Sequence, residues 1–221
     1  MACLRLWQND SILLTWPNYL SYFNVLAGGS RNGYRHLVDS SLDWGQDLPG
    51  LKKWLQQKGL DGQTRTPVYL SYFGTALPQY YGVQAIPLPS FLEFSPHAFA
   101  PLKGGVYCVS ATMLQGVVGG FSCPGPWTGE YESRYRSTAD LLGRVAAADA
   151  GSREELVRQA GFPGPAEFIA AYEQFRFGRL CAFLRQREPD DEVGYSILIY
   201  RLTDEDVGRA QSPATPAPVH R

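Results

Sequence analysis

The fold is decided around residues 34–58, YRHLVDSSLDWGQDLPGLKKWLQQK. Residues 34–38 are rich in aromatic and branched side chains and predict a short strand. Residues 48–58 predict a helix, because leucines recur at helical spacing and Asp47 is a suitable N-cap. Between the two elements lies the polar loop 39–47. The sequence therefore predicts a strand, a loop and a helix in succession.

Three further runs predict strands, at residues 68–73, 106–111 and 195–202. Each is almost continuously apolar, which is typical of strands that are covered on both faces of a parallel or mixed sheet. The alternation of strand, helix and strand over residues 34–73 predicts a βαβ unit. We therefore predict an α/β fold, with a Rossmann-like, mostly parallel or mixed sheet of about four or more strands flanked by helices.

Two helices are predicted between the third and fourth strands. The first begins at the capping-box pattern Ser152-x-x-Glu155 and ends near Gly161. The second begins at Pro165 and stops before Pro189. The chain then divides into an N-terminal helical segment (1–30), an α/β domain (31–205) and a disordered tail (206–221) that is rich in Ala and Pro.

Composition places limits on the function. The chain has 221 residues, 44% of them hydrophobic, which is enough for a sizeable core. Its 20 basic and 21 acidic residues give a net charge of −1. A nucleic-acid-binding surface needs a basic surplus on one face, so we predict no nucleic-acid partner.

Three long stretches carry no charge, residues 11–30, 66–92 and 104–129. Each is long enough to raise the question of a transmembrane helix, but Pro and Gly interrupt all three, so we predict no transmembrane helix. The first is expected either to touch a membrane surface or to dock as a helix on its own domain. We also predict no signal peptide, because no long apolar run with a cleavage site follows Met1.

The strongest candidate site is the loop 39–47, with Asp39, Asp43, Trp44, Gln46 and Asp47. In open α/β sheets, ligands bind at the carboxyl ends of the strands. Carboxylates and an amide could bind sugar hydroxyls there while the indole stacks on the sugar face. The structural alternative has equal weight: Asp47 caps the helix, Asp39 ends the strand and Trp44 packs.

Other strand ends would contribute to the same rim if the sheet is parallel. The candidates are Thr75, Tyr80, Tyr81, Ser110, Thr112 and Gln115. The alternative is that Tyr80 and Tyr81 form a turn that closes over the core. Neither His nor Cys has metal-binding spacing, and we predict no metal and no cofactor.

Several runs resemble bacterial phospholipid-carrier-dependent glycosyltransferases of the protein O-mannosyltransferase-like family 39. They are Tyr19–Asn24 with Leu26–Gly29, Asn32–Arg35, Asp39–Leu48, Tyr69–Thr75 with Tyr80–Gly82, Val106–Thr112 with Leu114–Gly116, and Glu188-Pro189 before Val193–Ile197. The resemblance covers roughly residues 17–202, and the run around Asp43 is its most specific part.

The resemblance implies a multi-pass membrane enzyme that moves a sugar from a polyprenyl-phosphate carrier to an acceptor on the extracytoplasmic side. The family's catalytic acid lies near its first membrane helix, and no position of this chain matches it. We therefore expect a membrane-associated, extracytoplasmic accessory domain, whose partners are the membrane-embedded portion and a sugar or lipid-linked sugar. Two alternatives stay open: an independent carbohydrate- or ligand-binding module, and a small enzyme that uses Asp39 and Asp43 as an acid–base pair.

Overall fold

The computed structural model describes residues 21–23, 28–38, 42–62, 64–92, 101–116 and 127–212. Five strands and six α-helices follow one another in this part of the chain. They are α1 (Leu48–Gln57), β1 (Val68–Ser71), β2 (Ile86–Pro87), β3 (Gly105–Ser110), α2 (Ala111–Gln115), α3 (Gly129–Ala147), α4 (Ala150–Gln159), α5 (Pro165–Leu184), β4 (Asp191–Val193), β5 (Ile197–Leu202) and α6 (Asp204–Gln211). Two 3-10 helices, Ser30–Arg35 and Pro78–Tyr81, lie among them.

The strands form one mixed sheet in the order β2-β1-β3-β5-β4. β1 pairs in parallel with both β2 and β3, whereas β5 runs antiparallel to β3 and β4. The predicted α/β class is confirmed. Because β5 is antiparallel to β3, the start of β5 lies at the same end of the sheet as the carboxyl ends of β1 and β3.

Helices cover both faces of the sheet. Side chains alternate along β3, so Val106 and Cys108 join a core with α1, while Tyr107 and Val109 join a core with α5. This two-sided burial explains why the strand reads as a continuous apolar run. Helices α3 and α4 add a smaller cluster against α5, centred on Phe168.

The strand predicted at residues 34–38 is wrong. Local hydrogen bonds hold this region as the 3-10 helix Ser30–Arg35, with the amides of His36 and Leu37 both donating to the carbonyl of Gly33 at 2.9 and 3.0 Å. Only Tyr34 of the run is buried, and Leu37 is 55% exposed, so a strand here would have no apolar face to bury. The predicted βαβ unit over residues 34–73 is therefore absent, and α1 leads directly into β1.

The capping box predicted at Ser152 is also wrong. Helix α4 begins at Ala150, and Asp149 caps it by accepting hydrogen bonds from the amides of Gly151 and Ser152. The Ser152 hydroxyl donates to Asp149 Oδ2 at 2.7 Å, so this serine lies inside the first turn. Asp is as good an N-cap as Ser, and the two lie too close in sequence for pattern alone to separate them.

Two helices extend beyond the predicted elements. Helix α3, Gly129–Ala147, lies in a region for which no helix was predicted. Helix α6, Asp204–Gln211, continues into the segment 206–221 that was predicted as a disordered tail, and Thr203 and Asp206 form a capping box at its start. Residues 213–221, and most of the N-terminal segment 1–30, lie outside the described residues. Among the described helices, none combines the length and the apolar character needed to cross a bilayer.

Candidate functional site

The loop Leu42–Asp47 lies where β1 and β3 end and β5 begins. The Tyr72 hydroxyl, just past β1, donates to the Gly45 carbonyl at 2.5 Å. The Ser196 hydroxyl, just before β5, donates to Asp47 Oδ2 at 2.6 Å. These two hydrogen bonds place the loop at the carboxyl ends of the parallel strands, where ligands of open α/β sheets bind.

The backbone of Gly45 packs directly against Gly74 and the ring of Tyr72. Gly45 has φ +76°, and a Cβ at this position would lie 2.7 Å from the Phe73 carbonyl oxygen and 2.8 Å from Gly74 Cα. A side chain at Gly45 would therefore separate the loop from the end of β1. The loop and the strand end form one close-packed unit because both positions are glycine.

Asp43 lies inside the loop and is fully buried. Its Oδ1 accepts a hydrogen bond from the amide of Gly45 at 2.9 Å, in a tight turn of the loop upon itself. The Asp43 carboxylate in this position stabilises the backbone conformation of the turn that contains Trp44. It is not at the surface, where it could meet a substrate.

Gln46 ties the ends of the loop together. Its Oε1 accepts from the amide of Trp44 at 2.8 Å, while its Nε2 donates to the Leu42 carbonyl at 3.3 Å and to Asp47 Oδ2 at 3.0 Å. The loop therefore holds its own shape through side-chain bonds as well as through contacts with the sheet.

Asp47 precedes α1 but does not cap it with its side chain. Its carboxylate turns instead towards Ser196 and Gln46, so the predicted helix cap is replaced by a link between the loop and the turn from β4 to β5. In that turn Gly194 has φ +60°, and a Cβ there would overlap the Asp47 carboxyl group. Burial raises the pKa of Asp47, and the hydrogen bonds from Ser196 and Gln46 only partly oppose this.

Tyr72 is a buried residue that connects the loop to the end of β1. It is buried beneath the loop, and burial raises the pKa of its hydroxyl to about 12, with the charges of Asp43, Tyr81 and Asp47 acting in the same direction. The phenol therefore stays protonated and serves as a donor to Gly45 at neutral pH.

Aromatic side chains stand around this polar loop. Trp44 is 63% exposed, and Tyr80 is 84% exposed. Tyr80 and Tyr81 contact each other edge to face, with ring centroids 5.3 Å apart. The 3-10 helix that holds them is fixed to α1, because Lys52 Nζ donates to the Gly82 carbonyl at 2.7 Å. Thr75 is exposed on the segment between β1 and this 3-10 helix.

The predicted residues after β3 do not reach this surface. Ser110 is buried and accepts a hydrogen bond from the Phe73 amide at 3.0 Å. Thr112 is buried in α2, and Gln115 Nε2 donates to the Tyr34 carbonyl at 3.2 Å. Ser110 and Gln115 therefore connect structural elements and Thr112 is buried, so the exposed candidates are the residues around Trp44, Thr75 and Tyr80.

Asp39 lies outside the described residues. Sequence reasoning missed Tyr72 and Ser196 as members of the site. The signal that could have found Ser196 is Gly194-Tyr195, where two successive residues with positive φ form the tight turn into β5. Within the described ranges, no cluster of His, Cys, Asp and Glu could hold a metal ion.

The site combines a polar loop held by hydrogen bonds with an exposed indole and exposed phenols beside it. Comparison with protein-family models, curated proteins and solved structures finds no match for this chain.

Proposed function

We propose that this chain is an extramembrane accessory domain of a lipid-carrier-dependent glycosyltransferase, and that the surface around Trp44 binds a sugar. The observation that supports binding is the exposed indole of Trp44 on a loop fixed by Gln46 and Tyr72. The runs that resemble the glycosyltransferase family support the membrane enzyme as its setting. The proposed role is to hold donor or acceptor sugar, or to support the membrane part.

A sugar would meet two kinds of group here. The flat face of Trp44 offers an apolar platform for the C–H face of a pyranose, and a rigid aromatic ring gives contact area at low entropic cost. Thr75 and the hydroxyl of Tyr81 can form hydrogen bonds with the sugar at its rim, and Gln46 Oε1 can accept one more, since both hydrogens of its Nε2 are used within the loop. Surface sites built on preformed loops lose less entropy on binding than mobile ones.

Binding suits the site better than acid–base catalysis. A general acid or base must lie within hydrogen-bond reach of its substrate. Asp43 is fully buried and bonded to the loop backbone, and Asp47 is engaged by Ser196 and Gln46. The Asp39 and Asp43 pair considered for a standalone enzyme is therefore the weaker proposal.

Titration of the 221-residue chain with neutral mono- and oligosaccharides tests the proposed binding. We expect saturable binding in the millimolar range or tighter, followed by tryptophan fluorescence and by calorimetry. Trp44→Ala should weaken it by about tenfold or more, which corresponds to about 1.4 kcal/mol. The matched control is Trp127→Phe, a tryptophan that packs beside α3 through a 2.8 Å bond to Glu132. No binding by the parent chain, or equal binding by Trp44→Ala, would refute the proposal.

The membrane setting has a separate test. Reading the coding sequence around that of this chain should reveal several in-frame or adjacent hydrophobic segments of about 20 residues. Sugar binding without any such segments would favour the independent carbohydrate-binding module.

A further inference from the structure

The exposed large hydrophobic side chains are concentrated in a few segments. In the described part of the chain there are eight, and they belong to residues 21–38, 42–47, 74–81 and 91–92. They are Tyr22, Leu37, Trp44, Leu77, Tyr80, Tyr81, Phe91 and Leu92. The outer surfaces of α3, α4 and α5 contribute none of them. Scattered exposed apolar residues are ordinary, whereas a concentration marks an interaction surface.

Three hydrogen bonds place parts of these segments at one end of the sheet, the end at which β1 and β3 finish. The Ser21 hydroxyl donates to the Gly194 carbonyl at 2.9 Å, in the turn before β5. The Tyr34 carbonyl accepts from Gln115, just past β3, and the Phe91 amide donates to the Tyr72 carbonyl at 3.0 Å, just past β1. We call this set of eight side chains the aromatic end face.

Few charged side chains lie in the segments that form this face. Residues 66–92, which supply five of the eight side chains, contain no charged residue. Two arginines on the neighbouring 3-10 helix are paired, Arg31 with Glu192 at 3.0 Å and Arg35 with Glu188 at 2.5 Å. At the opposite end of the sheet the charges are paired as well, since Asp204 accepts from the Gly104 amide and Asp206 pairs with Arg187 and Arg209. Among the described residues, the two ends therefore differ in exposed apolar side chains rather than in charge pairing.

We propose that the aromatic end face docks on the interfacial layer of a lipid bilayer. Trp and Tyr are the residues that favour this layer, because their rings are apolar and their N–H or O–H groups can still meet water and headgroups. Leu77, Phe91 and Leu92 then insert among the upper acyl chains.

Because Arg31 and Arg35 are paired with glutamates, this docking should depend little on lipid charge. A polybasic surface binds anionic lipids and is released by salt. The aromatic end face should instead bind neutral bilayers nearly as well as anionic ones, with weak dependence on salt. The inference rests on the proposed function for the location of the chain, but it needs no sugar, so vesicles without glycolipid separate the two.

Vesicle flotation with the 221-residue chain tests the docking. We expect the chain to float with phosphatidylcholine vesicles and with phosphatidylethanolamine–phosphatidylglycerol vesicles. The double variant Leu77→Ser/Tyr80→Ser should lower the partition coefficient by about tenfold or more, because burial of each side chain contributes more than 1 kcal/mol. The matched control Leu77→Met/Tyr80→Trp keeps the apolar surface and should float like the parent. Thermal unfolding checks that both variants remain folded, as expected for side chains this exposed.

Three outcomes would overturn the proposal. The parent chain could stay in the aqueous fraction with both vesicles. The serine variant could float as well as the parent, which would assign binding to another segment such as residues 1–20. The parent could instead self-associate in solution in a way that the serine variant abolishes, without binding vesicles, and a second copy of the chain would then be the occupant of the face. Sugar binding in the titration together with failure here would leave the proposed function standing.

Discussion

At the scale of single residues, the site depends on close approach between backbones. Gly45 and Gly74 pack against each other and against the Tyr72 hydroxyl so closely that a methyl group on either glycine would not fit. Trp44 stands next to this contact, so the orientation of the indole follows from the packing beneath it. Changes to Gly45 should therefore affect stability and sugar binding together.

We predict that Gly45→Ala destabilises the chain by about 3 kcal/mol. The left-handed backbone conformation costs alanine roughly 1–2 kcal/mol, and displacement of Phe73 or Tyr72 adds the remainder. Gly59→Ala is a matched control, because Gly59 has a similar φ of +67° but a Cβ there would meet nothing within 4 Å. Urea unfolding measures both changes. Equal losses in the two variants would show that backbone conformation alone, without the clash, accounts for the effect.

Asp47 gives the second prediction at this scale, which concerns pH. Its pKa is raised in the folded chain above the ordinary value of 3.8, chiefly by burial. Folding therefore favours the protonated carboxyl, so this contribution to stability is fully present below the ordinary pKa and is lost as pH rises through the raised one. In Asp47→Asn the contribution no longer varies with pH. As pH increases from about 4 to 7, the unfolding free energy of the parent should therefore decrease relative to that of Asp47→Asn.

Asp149→Asn is the control for the sign of this effect. Hydrogen bonds from the Ser152 hydroxyl and from the amides at the start of α4 hold the pKa of Asp149 below its ordinary value. Its contribution is therefore present above the ordinary pKa and is lost as pH falls. Denaturant unfolding from about pH 2 to pH 7 should therefore give opposite slopes for the two variants, with the slope from Asp149 confined to the acidic end, below about pH 4. Parallel slopes would contradict the burial of the Asp47 carboxyl.

At the scale of elements, one arginine connects three helices. Arg179 of α5 is buried, its Nε donates to Glu132 of α3 at 2.9 Å, and its guanidinium also donates to the Ala210 carbonyl of α6 at 2.5 Å. It lies over the ring of Tyr135, 5.3 Å from the centroid. Close by, Arg176 pairs with Glu173 on the same helix. These bonds fasten α3 and α6 to the outer side of α5.

We predict that Arg179→Met costs about 2 kcal/mol of stability, because the buried Ala210 carbonyl loses its donor and Glu132 loses one of its cations while keeping its bonds from Arg136 and Trp127. Arg134→Ala is the matched control on the same layer. Arg134 pairs with Glu130 at 2.6 Å, but both side chains are exposed, and such pairs contribute about 0.5 kcal/mol or less. Denaturant unfolding compares them, and amide exchange should show that protection is lost first in α6. A cost for Arg179→Met as small as that for Arg134→Ala would mean that apolar packing alone holds the helices.

At the scale of the whole molecule, the two ends of the sheet differ in chemistry. The carboxyl end carries the sugar-binding candidates and the exposed aromatic residues, whereas the end at which β1 and β3 begin carries Lys103 and Asp204. A lipid-linked sugar would place its sugar at headgroup height. A domain that docks by its aromatic end face would bring Trp44 to that same height. The two proposals are therefore compatible in one orientation, although each can fail alone.

The elements that could be predicted from the sequence are those whose stabilising pattern lies within their own residues. Strands β1, β3 and β5 and helices α1 and α5 were predicted, because each has its own apolar run or helical stripe. The segment 34–38 was not, because its aromatic content resembles a strand while its backbone bonds are local. Helix α3 was missed because its apolar residues are sparse, with only Tyr135, Thr138 and Leu141 buried along its length.

For the candidate site, the sequence by itself determined that a polar loop with Trp44 would precede α1. Its expected position at a strand end rested on the strand predicted at residues 34–38, which is wrong, and the tertiary structure instead places the loop at the ends of β1 and β3. Only the tertiary structure decided what the loop's side chains do. Ser196 lies 149 residues from Asp47, and Tyr72 lies 27 residues from Gly45. The packing of the sheet brings these partners together, and no local pattern encodes such pairs. That packing turns Asp47 away from its helix, buries Asp43, and leaves Trp44 exposed.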